Sequence, residues 1–171
     1  VTEASAEELT EMSQKLVARG VTAFLASTVA APHERLIEVC RNVWQVATSW
    51  APSKGARLLG VHLEGPYLNP SMKGAMNEAY LRKPSLKEFE EYYSVSRGLV
   101  RKVTVAPELE GAIDFIKAVK SRGVVVSLGH SDATYEEALK GIEAGATIAN
   151  HIFNQMRHFH HRDPGISFAF L

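Results

Sequence analysis

Cysteine is almost missing from this chain: Cys40 is the single one in 171 residues. That excludes a disulfide framework. Because Cys40 lies in the apolar-periodic stretch 36–46, it reads as a buried core thiol and not a nucleophile, in a reduced, cytoplasmic compartment. A bias of charge is missing too, since nineteen Lys and Arg residues offset nineteen Asp and Glu. No global field therefore favours nucleic acid or an anionic membrane, and any anionic ligand must be held by a local cluster. No apolar run approaches the roughly 18 residues of a membrane span, and the polar opening VTEASAEELTEM is not that of a signal peptide. Linker-like and low-complexity segments are absent, so residues 1–171 are expected to form one domain with a small-molecule partner.

What is present is an alternation. Ser5 with Glu8 makes a capping box, Leu9, Met12, Leu16 and Val17 follow on one helical face, and Gly20 closes the helix before an apolar strand at 21–27. A helix over 34–48 precedes a strand at 58–64, and a helix capped by Ser85 and Glu88 precedes 100–106. A helix over 109–122 leads into VVVSLGH, and a helix capped by Thr134 and Glu137 and ended by Gly145 leads into ATIANHIF, a strand over 147–153. Five buried strands, each preceded by a helix, imply a parallel sheet, because parallel strands need crossover helices and bury both faces. The open doubly-wound sheet usually carries a glycine-rich phosphate loop, and neither GxGxxG nor a P-loop occurs. A complete TIM-type barrel takes eight units in about 250 residues. Five βα units fit an α/β chain that is an incomplete (β/α) barrel.

Ligand-type residues gather where strands give way to loops: Glu64 after LLGVHL, Glu108 after VTVAP, His130 and Asp132 after VVVSLG, and His151 after ATIAN. In a barrel those strand ends form the catalytic rim, where groups distant in sequence converge. One histidine at a strand end is more often structural than a ligand; several polar groups together reverse that. A carboxylate with two imidazoles suits Zn²⁺ or Fe²⁺ and leaves a position open for water or substrate. His62, two residues before Glu64, shares its face of the strand, and a supporting or core role is favoured over a second metal site. Asp132 reads as a loop or capping residue, and Glu108 as the start of the next helix.

The stretches GVTAFLAST, LLGVHLEGPYLNPSMKGA, VTVAPE, SLGHSDATYEEA, GATIANHIFNQM and HHRDPG resemble, in this order, the signature segments of the N-acetylglucosamine-6-phosphate deacetylases of the amidohydrolase superfamily. The resemblance implies a barrel of the metal-dependent amidohydrolase kind, with one divalent Zn or Fe ion on Glu64, His130 and His151. It implies that Ala75 and its neighbour Met76, the pair Asn154 and Gln155, and Arg162 line the site of a phosphorylated amino sugar. Arg162 would grip the phosphate, a role that suits a guanidinium in a loop with His158, His160 and His161; the alternative is a surface turn in which Arg162 pairs with Asp163. A homo-oligomer, a dimer, is expected of the full-length protein.

Three positions depart from the family pattern. Met76 stands where a histidine is usual, Gln155 where alanine is usual, and Asn150 where threonine is common. Metal binding is expected to be unaffected, whereas Met76 cannot donate a hydrogen bond to substrate. A related N-acyl sugar, a cyclic amide, or a non-catalytic barrel fragment are the alternatives; the Arg162 loop argues against the cyclic amide. The proton-shuttling aspartate of the family's last strand and the metal-side segment of its first have no match in these residues. Residues 1–171 alone are therefore expected to show no deacetylase turnover, since general acid–base catalysis contributes about 10²–10⁴ in rate. Assayed with N-acetylglucosamine 6-phosphate and Zn²⁺ or Fe²⁺ beside a full-length control, turnover within tenfold of the control would show that the shuttle lies inside this sequence, with Asp132 the first residue to test.

Overall fold

The computed structural model describes residues 1–51 and 55–171. Helices and strands alternate as α1 (Ala6–Val17), β1 (Ala23–Ser27), α2 (His33–Thr48), β2 (Arg57–Glu64), α3 (Leu86–Val95), β3 (Val100–Val105), α4 (Ala112–Ser121), β4 (Val125–Leu128), α5 (Tyr135–Glu143), β5 (Ile148–Ala149) and α6 (Gly165–Phe168). The strands neighbour one another in chain order, β1-β2-β3-β4-β5. The residues fall into two compact units: Val1–Thr28, Pro32–Leu63 and Lys87–Arg101 form the first, and Val29–Ala31, Glu64–Leu86 and Lys102–Leu171 the second. No helix among the described residues is long and apolar enough to cross a membrane.

In the first unit, α1 begins where the capping box predicts. The Glu8 amide donates to Ser5 Oγ at 3.2 Å and the Ser5 amide to Glu8 Oε2 at 2.8 Å, satisfying two of the orphan donors of a helix start. Strands β1 and β2 pair in parallel with one irregularity, Phe24 opposite Leu58 but Leu25 opposite Gly60, so Leu59 is passed over. Only glycine fits at the step: a Cβ on Gly60 would lie 2.2 Å from the Leu99 carbonyl oxygen. Beyond the bulge, Ser27 sits opposite His62, and Ser27 Oγ lies 2.9 Å from His62 Nδ1. Leu36, Val39, Cys40 and Val43 recur at helical spacing on α2 and are fully buried. Burial pushes the Cys40 thiol up to about 12, which keeps it neutral and unreactive.

In the second unit, β3 and β4 pair with Lys102 opposite Val125 and Val105 opposite Leu128, and β4 pairs with β5 with Leu128 opposite Ala149. Successive strand residues alternate between faces, so Val103, Val105, Val126 and Leu128 share one face and are fully buried. A Cβ on Gly141 of α5 would lie 2.9 Å from Leu128 Cδ1, which identifies this as the face toward the helices. Lys102, Thr104, Ser127 and Asn150 take the opposite face, with Thr104 Oγ1 2.7 Å from Ser127 Oγ. Two expectations shift. The strand expected over 147–153 is regular only at Ile148–Ala149, because His151, Phe153 and Gln155 adopt left-handed backbone with φ of 37°, 73° and 51°. The helix expected over 109–122 starts at Ala112, after Gly111 at φ 80°, so Glu108 lies in a turn before it.

Cys40 reactivity tests the packing of α2. A thiol reagent at pH 8 should leave Cys40 unmodified in the native protein and label it stoichiometrically in guanidinium; rapid native labelling would show that this helix face is not buried.

Candidate metal centre

Parallel register brings the two histidines level. Leu128 and Ala149 are partners across β4 and β5, and His130 and His151 each stand two residues beyond them. Glu64, the last residue of β2, completes a triangle of donor atoms: Glu64 Oε1 is 3.2 Å from His130 Nε2 and 3.1 Å from His151 Nε2, and the two Nε2 atoms are 3.1 Å apart. The side chains of His130 and Glu64 are 6% and 19% exposed, that of His151 32%, so the triangle opens on the His151 side.

The tautomers follow from the partners. His130 Nδ1 donates to the Met72 carbonyl at 2.8 Å and His151 Nδ1 to the Asn154 carbonyl at 3.0 Å. A carbonyl oxygen can only accept, so a proton sits on each Nδ1, and the neutral imidazole would present its Nε2 lone pair to the triangle. Two imidazole nitrogens and a carboxylate oxygen thus converge within 3.2 Å of one another, an arrangement that suits a shared cation. The donor set fits a divalent ion: bonds of about 2.0–2.2 Å at tetrahedral angles set ligand atoms roughly 3.3–3.5 Å apart, close to the observed triangle. His62 is not part of this cluster.

The loops that carry the histidines are strained and laced together. His130 has φ of 48° and His151 of 37°, conformations that side-chain-bearing residues hold only when their surroundings impose them. For His130 the agent is Glu108. Its carboxylate accepts from Ser131 Oγ at 2.7 Å, the Asp132 amide at 2.8 Å and Asn69 Nδ2 at 2.9 Å, and the Asn69 amide donates to the His130 carbonyl at 3.0 Å. The loop after β5 is tied to the same segment. The Ser131 amide donates to the Gln155 carbonyl at 3.2 Å, the Arg157 amide to the Ser131 carbonyl at 2.9 Å, and Arg157 Nη1 to the Asp132 carbonyl at 3.0 Å. Behind the triangle, Asn150 Nδ2 donates to Glu64 Oε1 at 2.9 Å, and Lys102 Nζ to Asn150 Oδ1 at 2.9 Å. Burial lowers the Lys102 pKa and the nearby Glu64 charge opposes that shift.

No family model matches the chain. A curated N-acetylglucosamine-6-phosphate deacetylase from Vibrio furnissii is 41% identical over 167 residues, covering 97% of this chain and 41% of its own length. The crystal structure of N-acetyl-D-glucosamine-6-phosphate deacetylase from Mycobacterium smegmatis superposes with a TM-score of 0.85 at 33% identity, covering 96% of this chain and 41% of that one. The chain is homologous to the N-acetylglucosamine-6-phosphate deacetylases over most of its length. It spans about two fifths of the relatives it matches, and its five parallel strands and their helices correspond to part of the (β/α) barrel of those deacetylases. A mutant of the M. smegmatis enzyme in complex with N-acetyl-D-glucosamine-6-phosphate has a TM-score of 0.83 at 31% identity, with 99% of this chain and 45% of that chain covered. An N-acetylgalactosamine-6-phosphate deacetylase from Escherichia coli O157:H7 is 35% identical over 158 residues, 92% of this chain and 41% of the relative.

The residues expected from the family resemblance to line a sugar site are differently disposed. Met76 is 9% exposed in a small cluster with Ala30, Leu68 and Leu81, and its sulfur accepts from the Ala30 amide at 3.3 Å. The methionine thus packs beneath its loop while neighbouring Ala75 is exposed. Gln155 lies against the same loop, since a Cβ on Gly74 would meet its Cγ at 2.9 Å. Asn154 is exposed beside His151, which its carbonyl holds. Arg162 is exposed, and Asp163 pairs with Arg157 Nε at 2.9 Å. The roles of Glu108, Lys102 and the Met72 and Asn154 carbonyls escaped the sequence reading; the one signal was the period of β3, which turns Lys102 away from its valine neighbours.

Glu108 is the test of the lacing. Glu108→Ala strips the acceptor from three donors, one of them on fully buried Ser131, and should lower stability by about 2–4 kcal/mol, given ~1–3 kcal/mol per unsatisfied buried donor. Urea unfolding measures it. An unchanged midpoint and slope would show that the His130 loop holds its conformation without Glu108.

Proposed function

We propose that the protein hydrolyses the acetamide of N-acetylglucosamine 6-phosphate, giving acetate and glucosamine 6-phosphate, at a Zn²⁺ or Fe²⁺ site made by Glu64, His130 and His151. The triangle of three convergent lone-pair donors carries this reading. The chemistry such a cation supplies when bound is Lewis-acid activation of an amide carbonyl and of water near neutral pH. The chain's own groups would hold that cation. Glu64 would offset one of a divalent cation's two positive charges and neutral imidazoles would offset none, so the loaded centre would keep a net attraction for an electron-rich carbonyl. Each imidazole is committed through both nitrogens, Nδ1 to a carbonyl and Nε2 to the triangle, and neither is placed to carry the proton that the leaving amine requires. An aspartate at the last barrel strand, expected from the family resemblance, fits that role.

Substrate recognition is assigned to the rim around the open, His151 side. Ala75 with Met76, and Asn154 with Gln155, stand on two segments that touch where Gln155 meets Gly74, which suits one sugar ring contacted from both. Met76 contributes through its backbone, its side chain being buried. Arg162 is the candidate phosphate ligand: Arg157 engages Asp163, which leaves the Arg162 guanidinium to present its planar fork outward. A second reading, action on the 4-epimer, is favoured by the 35% identity to the E. coli N-acetylgalactosamine-6-phosphate deacetylase. Discrimination between the two sugars then falls to the bulk of Gln155.

The full-length protein, loaded with Zn²⁺ or Fe²⁺, should release one acetate per N-acetylglucosamine 6-phosphate consumed. Arg162→Ala should raise KM for the phosphorylated sugar by about 10- to 100-fold, a charge-assisted hydrogen bond contributing roughly 1.5–3 kcal/mol, with little effect on unphosphorylated N-acetylglucosamine. Equal losses on both sugars would remove the phosphate role, and faster turnover of the galactosamine epimer would select the second reading.

A further inference from the structure

The side of the triangle that faces the inside of the sheet is held by a two-link chain of hydrogen bonds that nothing in the proposed reaction calls for. Lys102 Nζ meets Asn150 Oδ1 at 2.9 Å, and Asn150 Nδ2 meets Glu64 Oε1 at 2.9 Å. The acceptor is the same oxygen that faces both histidines. We propose that Lys102 and Asn150 are positioning residues of the metal centre: Lys102 fixes the orientation of the Asn150 amide, and that amide fixes Glu64 Oε1 at the donor triangle. The inference rests on the reading of Glu64, His130 and His151 as metal ligands.

The direction of each bond makes the chain selective. A primary amide has a donating and an accepting end, and only one of its two orientations serves a lysine ammonium on one side and a carboxylate on the other. Lys102 therefore excludes the flipped amide, which would set Oδ1 against the Glu64 oxygen. The backbone supports the same geometry. Asn150 is 6% exposed, and a Cβ on Gly129 would come 2.8 Å from Asn150 Cβ, so glycine at 129 is what admits the asparagine. Lys102 reaches across from β3 because alternation puts it on the face shared with Thr104 and Ser127, and β5 delivers Asn150 immediately before His151. One oxygen of Glu64 is thereby held by a hydrogen bond while its other lone pair faces the imidazoles. Carboxylate ligands so restrained bind metal more tightly than mobile ones, and removing such a partner typically weakens binding by about 10- to 100-fold.

The test is Zn²⁺ affinity of the full-length protein, stripped of metal and titrated against a chromophoric chelator, with the melting temperature of each metal-free variant as the check on folding. Lys102→Met and Asn150→Leu should each weaken Zn²⁺ binding about tenfold or more. The double variant should bind within twofold of Asn150→Leu, because the lysine acts only through the asparagine. Lys102→Arg, which keeps a cationic donor, should restore most of the affinity. Native affinity in both Lys102→Met and Asn150→Leu would overturn the proposal, as would losses that multiply in the double variant. If Lys102→Met does not fold, a native affinity in Asn150→Leu overturns the proposal alone. His130→Ala separates the two readings: if it loses Zn²⁺ while the Lys102 and Asn150 variants keep it, only the positioning role falls; if it binds like the native protein, the metal centre falls and the positioning role with it.

Discussion

Three lone pairs meet at one point in this molecule, and the second unit is arranged around keeping them there. Glu64 Oε1 and the Nε2 atoms of His130 and His151 stand 3.1–3.2 Å apart, and the carbonyls of Met72 and Asn154 hold the ring protons on the far nitrogens. A divalent cation would be held by these three atoms together. Three ligand-type atoms from the ends of three separate strands converge here, which apolar packing alone does not call for.

Holding that contact requires strain, and the structure meets it with hydrogen bonds in place of apolar packing. His130, His151, Phe153 and Gln155 all have left-handed backbone. Each such residue costs on the order of 1–3 kcal/mol and persists where neighbours over-determine it. Glu108 supplies that on one loop, and the exchange of amides and carbonyls between Ser131, Gln155 and Arg157 supplies it on the other. The parallel register of β4 and β5 is the coarse adjustment, and these bonds are the fine one.

Much of this was legible in the residues. Alternating helix and strand signals, the capping boxes at Ser5 and Thr134, and the apolar faces of α1 and α2 place most elements within a few residues of where they lie. The polar residues at strand ends, read with the family resemblance, bring out Glu64, His130 and His151, which the fold places together. What could not be read depends on long-range geometry. TIANHIF reads as a seven-residue strand, yet left-handed turns from His151 onward leave only two residues regular, since local composition carries no record of what a loop must reach. Glu108 resembles a helix start, but its carboxylate is drawn to donors 23 and 24 residues further on and to Asn69. Asn150 looked like a neutral departure from the family pattern. Its partner Lys102 lies 48 residues away, and only the fold shows that they meet.

X-ray absorption spectroscopy of the Zn²⁺- or Fe²⁺-loaded full-length protein tests the central claim most directly. The account predicts a first shell of nitrogen and oxygen donors at about 2.0–2.2 Å with outer-shell scattering from two imidazoles, reduced to one imidazole in His151→Ala. A shell without imidazole scattering, or one that His151→Ala leaves unchanged, would contradict the assignment of Glu64, His130 and His151 as the metal centre.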